Sequence, residues 1–421
     1  MFNFLNKFFA SSNNIKSKFF DLQKTSSVKK IFEAFQDYSI DSEIRYVGGC
    51  VRKILNNEKV DDVDMATNLN PEEIKEVLKK KNIKFYETGK DHGTITAHIN
   101  DEKYEITPLR SDVTTDGRHA KVQFTKDWRK DAERRDFTIN SIYSDINGNL
   151  FDPFEGKKDL ENGKVIFVGD EEKRIKEDYL RILRYLRFFS NYSRAEHDVI
   201  TLRNIKKNLN GVSKVSSERM LDEFKKIFIS QSLYQLCLNR DSFELLQLIF
   251  PQFKNLEKIK RLNPLAKEKL KDIDFIFLLG LLTIDETDNL DYFLFKYNIS
   301  KKDQKRLINI KNFFHSKKDN FKINFQSLWK YYYLYGQQSL NDILNFKIFI
   351  SKKNDKKFID LIHYFKNKKA PVFPIKADDL MKKFNFTEGK KLGENLKILE
   401  DYWINNNFKI NEKDIKKIVK Y

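Results

Sequence analysis

From Glu43 to Pro153 short alternating runs of apolar and polar residues are interleaved with stretches of helical spacing. Ile44-Arg45-Tyr46-Val47 predicts a short strand that ends at Gly48-Gly49, and a helical pattern follows through Leu55. Val60 to Ala66 predicts a second strand. Pro71 then stands where a helix starts, because its missing N–H costs nothing in the first turn, and Glu72-Glu73 suit the positive end of that helix. Gly93 to Ile99 and Lys103 to Leu109 predict two strands joined at Asn100-Asp101-Glu102, and Tyr143 to Phe151 predicts another pair turned at Asn147-Gly148. After about Phe154 apolar residues recur three and four apart, as in Tyr179, Ile182, Leu183 and Leu186, and glycine becomes sparse. Ser316-Lys317-Lys318-Asp319 and Lys366 to Pro374 read as loops or joints. The pattern predicts an α/β head followed by an all-helical remainder, with no internal repeat.

A chain of 421 residues exceeds what one core usually serves, so two or more domains are expected. Lys plus Arg exceed Asp plus Glu by 79 to 61, a formal charge of +18. Such a surplus suits a polyanion, whose counterions are released as Lys and Arg neutralise phosphates, although a compositional bias across the whole chain gives the same total. No run approaches the roughly 18 apolar residues of a membrane span, so a soluble protein with no membrane partner is expected. Cys50 and Cys237 make neither a disulfide framework nor a zinc-ligand spacing, which fits a reducing cytoplasm. Met1 to Lys30 carries Asp21 as its sole acid. It reads as an amphipathic helix, and an organelle-targeting peptide, the alternative, would have arginines that this segment lacks.

Asp61-Asp62-Val63-Asp64 falls on the second predicted strand, where Asp62 and Asp64 point to one face and Val63 to the other. Carboxylates held side by side repel unless a cation lies between them, a geometry suited to Mg²⁺, which takes a few carboxylates plus substrate phosphates. Two ions about 3.5–4 Å apart would activate a hydroxyl and stabilise a leaving group. Glu105, between the apolar-facing Tyr104 and Ile106, is the candidate third carboxylate. Gly48-Gly49, between strand and helix, offers backbone N–H groups to a phosphate chain, with Arg52 one turn further on. An isolated D-x-D is as well explained by a solvated strand edge, and an isolated Gly-Gly by a tight turn. Their order along the chain is the informative feature.

With that order the sequence resembles the nucleotidyltransferases of the DNA polymerase β superfamily, and more narrowly the class II CCA-adding enzymes and bacterial poly(A) polymerases. The first motif is written Gly48-Gly49-Cys50-Val51-Arg52 through Asp62-Val63-Asp64, and the resemblance implies that Asp62 and Asp64 bind the catalytic metals. A second is Arg134-Arg135-Asp136-Phe137-Thr138-Ile139-Asn140, which implies Asp136 near the sugar hydroxyls and Arg135 near the phosphates of an incoming nucleotide, with Asn140 in the same nucleotide-binding set. A third is Glu177-Asp178-Tyr179-Leu180-Arg181, continuing to Arg184 and Arg187. Asp178 and Arg181, three apart on one helix face, would offer an acceptor and donors to the edge of a base and so act as a protein template. Val215-Ser216-Ser217-Glu218-Arg219 opens a supporting helix, and Phe373-Pro374-Ile375-Lys376 with Gly389 to Trp403 resembles the tail of bacterial members. The likeness is strong from Arg45 to Phe228 and weak from Tyr234 to Lys369. Lys53 departs from the family, which usually has Asp directly after the arginine of the glycine motif.

The resemblance implies an α+β fold: an N-terminal extension (1–27), a polymerase β-like head with a mixed sheet (28–154), a helical neck with the nucleotide-selecting helix (155–240) and a helical body and tail that bind RNA (241–421). It implies Mg²⁺ as cofactor, CTP and ATP as substrates and tRNA as partner, with no obligatory protein partner. Three products compete: CCA on tRNA, A alone, and poly(A). Ser111 to Trp128, with Asp112, Asp116-Gly117-Arg118 and Lys126, resembles the flexible loop that switches such enzymes from C to A. Gly89 to Thr94 looks like the CCA-adding branch, with His92 ordering the turn. The rival from another class is a basic RNA-binding protein with an inactive head.

Overall fold

Among the described residues the head has nine strands: β1 Ile44–Val47, β2 Val63–Thr67, β3 Lys84–Gly89, β4 Thr94–Ile99, β5 Glu102–Pro108, β6 Arg110–Thr115, β7 Ala120–Phe124, β8 Tyr143–Ser144 and β9 Leu150–Phe151. The computed structural model describes residues 15–89, 92–115, 120–228, 232–285, 287–315, 324–353 and 355–419. Seven strands form one sheet in the order β3-β4-β5-β2-β1-β8-β9, while β6 and β7 pair only with each other. Within the large sheet β2 and β5 run parallel and the other neighbours antiparallel, which is the expected mixed sheet.

Why these segments fold as they do is local chemistry. Asn100 and Asp101 take up left-handed φ values of 49° and 65°, the conformation a tight two-residue hairpin demands and one that Asn and Asp tolerate best after glycine. Asn70 caps the helix Pro71–Lys80: its side chain accepts from the backbone N–H groups of Glu72 and Glu73, and the Glu73 carboxylate accepts from the Asn70 N–H at 2.8 Å. That helix and Val28–Gln36 press Ile74, Val77, Ile31 and Phe35 against Tyr46, Met65, Ile95 and Ile106 of the sheet. Residues 15–25 are helical, and Ile15 and Phe19 lie in this same core, the Phe19 ring 5.3 Å from that of Tyr46. The head's core therefore takes in side chains ahead of residue 28. Burying one such phenylalanine contributes about 1.5–3 kcal/mol.

Two features differ from the sequence reading. Lys84–Gly89 is an edge strand whose largely exposed residues carry no apolar alternation, so nothing in its pattern announced it. Ser111 to Trp128 was expected to be a long polar loop, yet Arg110–Thr115 and Ala120–Phe124 pair as an antiparallel hairpin, and Trp128 opens a helix capped by Asp127. Its tip, with Asp116, Gly117 and Arg118, lies outside the described residues.

Beyond Phe151 every element of the described residues is helical. Contacts divide the chain into two compact units, one ending at Phe250 and one beginning at Pro251. In the second unit Arg306 is gripped by Asp274 and Asp342, each at 2.7 Å, between helices Phe275–Thr283, Lys301–His315 and Phe325–Ile350. Among the described residues no helix is long and apolar enough to cross a membrane. Ser316–Asp319 lies outside the described residues, and Lys368 to Lys376 belongs to neither helix nor strand, as a joint there requires.

Within the first unit the helix Leu180–Tyr192 packs Tyr185 and Phe189 around His197. The imidazole Nδ1 lies 2.9 Å from the Tyr185 hydroxyl and Nε2 2.7 Å from the Ser242 hydroxyl. Burial lowers its pKa from 6.5 to about 4. The unfolded chain takes up this proton near pH 6.5 and the folded chain only near 4, so stability is complete above 6.5 and is lost as pH falls through that window. Urea denaturation at pH 5 is expected to show a loss on the order of 1–2 kcal/mol relative to pH 7.5, and His197→Gln, which does not titrate, is expected to flatten that slope.

Candidate active site

Parallel pairing of β2 with β5 sets Asp64 directly beside Glu105 on one face of the sheet. Asp62 was expected inside the strand, but β2 begins at Val63, and Asp62 lies just ahead of it, exposed. The reason is local: Asp61 is tied to Lys53 at 3.1 Å, which holds the preceding polar residues on the surface rather than in the ladder. Lys53 thus makes its contact with the acidic run itself. Asp62, Asp64 and Glu105 still share one cleft. Burial, and then the neighbouring charge of Glu105, push the Asp64 pKa up to about 6, against the opposing pull of Arg135 and Arg52. This is a set of hard oxygen donors short of positive charge. Among the described residues no three His, Cys, Asp or Glu side chains converge tightly enough to enclose an ion. The donors fit a divalent cation that completes its shell with substrate oxygens, not one held in a protein cage.

The glycine pair lies against these carboxylates. Gly48 has φ +65°, and a Cβ there would stand 3.1 Å from an Arg135 guanidinium nitrogen; a Cβ on Gly49 would stand 4.0 Å from a carboxylate oxygen of Asp64. The left-handed turn from β1 into the helix Gly49–Leu55 favours glycine at Gly48, where a side chain would also crowd Arg135, whereas a Cβ on Gly49 would make only ordinary contact. Arg52 lies on that helix, its guanidinium over the rings of Phe188 (4.8 Å) and Tyr192 (4.9 Å) and donating to the Asn140 side-chain oxygen.

Opposite stands a wall of arginines anchored by buried acids. Asp136 accepts from the Phe137 N–H and the Asn140 side-chain amide, each at 2.9 Å, and from Arg184 at 2.7 Å, and these donors hold its carboxyl far below the usual range despite burial. Asp131, 1% exposed, takes Arg134 at 2.8 Å, Arg135 at 3.3 Å and the Tyr143 hydroxyl at 2.6 Å. The two guanidinium charges lead the forces that overcome its burial and lower its pKa to about 2. The sequence reading missed Asp131. Its signal was spacing: it precedes Arg134 and Arg135 by three and four positions, one helical turn.

Gly48, Gly49, Arg52, Asp64, Glu105, Arg135, Asp136, Asn140 and Arg184 all line one cleft of about 400 Å³. Arg110, Arg134, Thr94 and Thr107, which the sequence did not single out, line it too, as do Arg187 and Phe188. Asp178 and Arg181 are not among its lining residues. They were expected as neighbours on one helix face, but Asp178 occupies the extended joint between helices Glu171–Glu177 and Leu180–Tyr192. Its carboxylate takes Arg219 at 2.6 Å, while Arg181 donates to Glu177 at 2.9 Å and to the Arg174 carbonyl at 2.6 Å. A half-buried charge takes the nearest opposite one, and each of the two has found a partner other than its sequence neighbour. Helix Ser217–Phe228 supplies Arg219 and also Glu223, which holds Arg187. His92 lends its backbone carbonyl to Arg110 at 3.2 Å.

Removing Asp131 leaves two guanidinium groups without their anion. Asp131→Ala is expected to lower unfolding stability by about 3–5 kcal/mol in urea, and Tyr143→Phe by about 1 kcal/mol. Comparison with known proteins follows the same residues. The poly(A) polymerase head domain matches residues 44–166, and the probable RNA- and SrmB-binding site of polymerase A matches 200–257. The Danio rerio protein named CCA tRNA nucleotidyltransferase 1, mitochondrial, is 34% identical over 420 residues, 95% of this chain and 92% of its own. The fold is shared with the Bacillus stearothermophilus CCA-adding enzyme in complex with CTP (TM-score 0.69, 20% identity, 89% of this chain and 91% of that one). It is shared too with the Thermotoga maritima CCA-adding enzyme complexed with tRNA_CCA (TM-score 0.60, 20% identity, 93% and 94%). A third of its residues held in common along nearly the full length of both chains, with a head-domain match across the sheet that bears the carboxylates, makes this chain a member of the class II CCA-adding enzyme and poly(A) polymerase family.

Proposed function

We propose that the chain adds C, C and A to the 3′ end of tRNA, without a nucleic-acid template, from CTP and ATP. The observation that carries this reading is the cleft in which Asp64 and Glu105 face an arginine wall, in a chain related along 95% of its length to a CCA tRNA nucleotidyltransferase. The RNA 3′-oxygen forms a bond to the α-phosphorus as the bond from that phosphorus to the bridging oxygen breaks. Pyrophosphate leaves, and the hydroxyl proton passes to Glu105. Held by Asp62, Asp64 and the triphosphate, Mg²⁺ would supply the Lewis acidity that polarises the attacked phosphate and offsets the charge on the leaving group. Gly48 and Gly49 leave room for phosphates at the backbone, Arg52 and Arg135 counter their charge, and Asp136 accepts from a ribose hydroxyl with Asn140 and Arg184 fixing its orientation. Their contribution is positioning and electrostatics prepared in advance.

Base choice falls to Asp178 and Arg181, which must exchange Arg219 and Glu177 for the edge of a cytosine or adenine. In this reading residues 28–154 bind the triphosphate, 155–240 select the base, and 241–421 hold the acceptor stem and elbow through Lys and Arg contacts to phosphate, since shape and backbone are what a protein reads on double-stranded RNA. Two buried cysteines suit a reducing compartment, and we place the protein in the cytoplasm; the Danio rerio relative is named mitochondrial, and a fluorescent fusion that co-localised with mitochondria would overturn the placement.

Incubation with tRNA lacking its last three nucleotides, plus CTP and ATP apart and together, is expected to give CC with CTP and CCA with both. Long A tails would instead indicate a poly(A) polymerase, and a single A only on a preformed CC end an A-adding specialist. Asp64→Ala and chelation with EDTA are each expected to reduce incorporation at least about a thousandfold, the scale of a lost transition-state charge contact, while tRNA binding persists. If Asp64→Ala left incorporation intact, the chemistry would lie elsewhere. Asp178→Ala is expected to weaken discrimination against UTP and GTP at least about tenfold, read as the ratio of kcat/KM values.

A further inference from the structure

Asp64 and Glu105 line two clefts, not one. The second, of about 710 Å³, opens over the solvent face of β3, β4 and β5, and among the described residues no arginine lines it. Register explains what it presents. Tyr86 pairs with Thr96, Thr96 with Glu105 and Glu105 with Asp64, so one transverse row across four strands runs from an aromatic ring to the acidic pair. The next row pairs Lys84 with His98 and His98 with Lys103, toward the end of β2 that Asp62 precedes. The Tyr86 ring meets the His98 ring edge-on at 4.9 Å and 72°, yet the tyrosine keeps 58% of its surface exposed. Buttressed from one side and open on the other, it is a flat apolar face on a strand that otherwise buries little, and the exposed Lys103 lines the same cleft.

An exposed ring beside a cation is the recurring platform for single-stranded nucleic acid, because any base stacks on it and the cation takes the adjoining phosphate. Resting on the polymerase reading above, we propose that this second cleft receives the unpaired 3′-terminal nucleotides of the RNA. The end base stacks on Tyr86, His98 braces the ring, and Lys103 pairs with the phosphate one step back. The row Tyr86–Thr96–Glu105–Asp64 then leads the terminal hydroxyl to the acidic pair from the side opposite the arginine wall. The two reactants thus approach the same carboxylates from different clefts, one cationic for the triphosphate and one aromatic for the acceptor.

The test uses full-length protein and tRNA ending in CC, with ATP as the added nucleotide. Tyr86→Ala is expected to raise the KM for RNA by about five- to hundredfold, the range seen when one stacked base is lost, with the KM for ATP unchanged and Tyr86→Trp restoring the RNA value. Lys103→Ala is expected to raise the same constant and to lessen its salt dependence. A tRNA carrying 2-aminopurine at its last position provides a second readout, quenched by the wild-type protein and not by Tyr86→Ala. An unchanged KM for RNA together with retained quenching would overturn this inference while leaving the polymerase intact. A wild-type protein that extends no RNA would overturn the polymerase reading, and this one with it.

Discussion

Two carboxylates set in register on neighbouring parallel strands repel each other, and the surrounding head is arranged about that repulsion. Asp64 and Glu105 cannot separate without breaking the β2–β5 ladder, whose other members, Met65 and Ile106, are fully buried in the core. The pKa of Asp64 is raised first by burial and then by the charge of Glu105. Relief comes partly from Arg135 and Arg52 on one side, and in the proposed function a divalent cation supplies the rest.

The arginines could not serve that purpose if they were loose. Each is fixed by neighbouring side chains: Asp131 and Tyr143 for Arg135, Asp136 for Arg184, Glu223 for Arg187, Asn140 and two rings for Arg52. Positive charge held in place before a ligand arrives requires no reorganisation when negative charge arrives, which is where such sites gain their advantage over water. The cost is a set of buried ions that destabilise strongly when any one partner is deleted.

The same economy explains the joint at Asp178. Without a base to read, its carboxylate and the Arg181 guanidinium are satisfied by Arg219 and Glu177, contacts made by half-buried side chains on short reaches. In the proposed function these partners are exchangeable, so the selecting groups stay charged and oriented between rounds of addition. Helix Leu180–Tyr192 joins this joint to the cleft, since Arg184, Arg187 and Phe188 on it line the wall opposite the carboxylates.

The sequence by itself determined the elements whose local chemistry is strong: β1 ending at the glycines, the helix from Pro71, the hairpin at Asn100-Asp101 and the turn at Asn147-Gly148. It also determined most of the cleft, because Gly48, Arg52, Asp64, Arg135, Asp136 and Asn140 belong to motifs readable in linear order. What it could not determine were interactions between residues far apart in sequence. Lys84–Gly89 is a strand only because β4 lies beside it, β6 and β7 are strands only because they face each other, and Asp131 matters only because three donors fold onto it. Asp178 and Arg181 looked like a pair because they are three residues apart, but a half-buried charge answers to the nearest opposite charge in space. Arg219, forty-one positions from Asp178, is nearer than Arg181 in that sense, and only the tertiary structure could decide it.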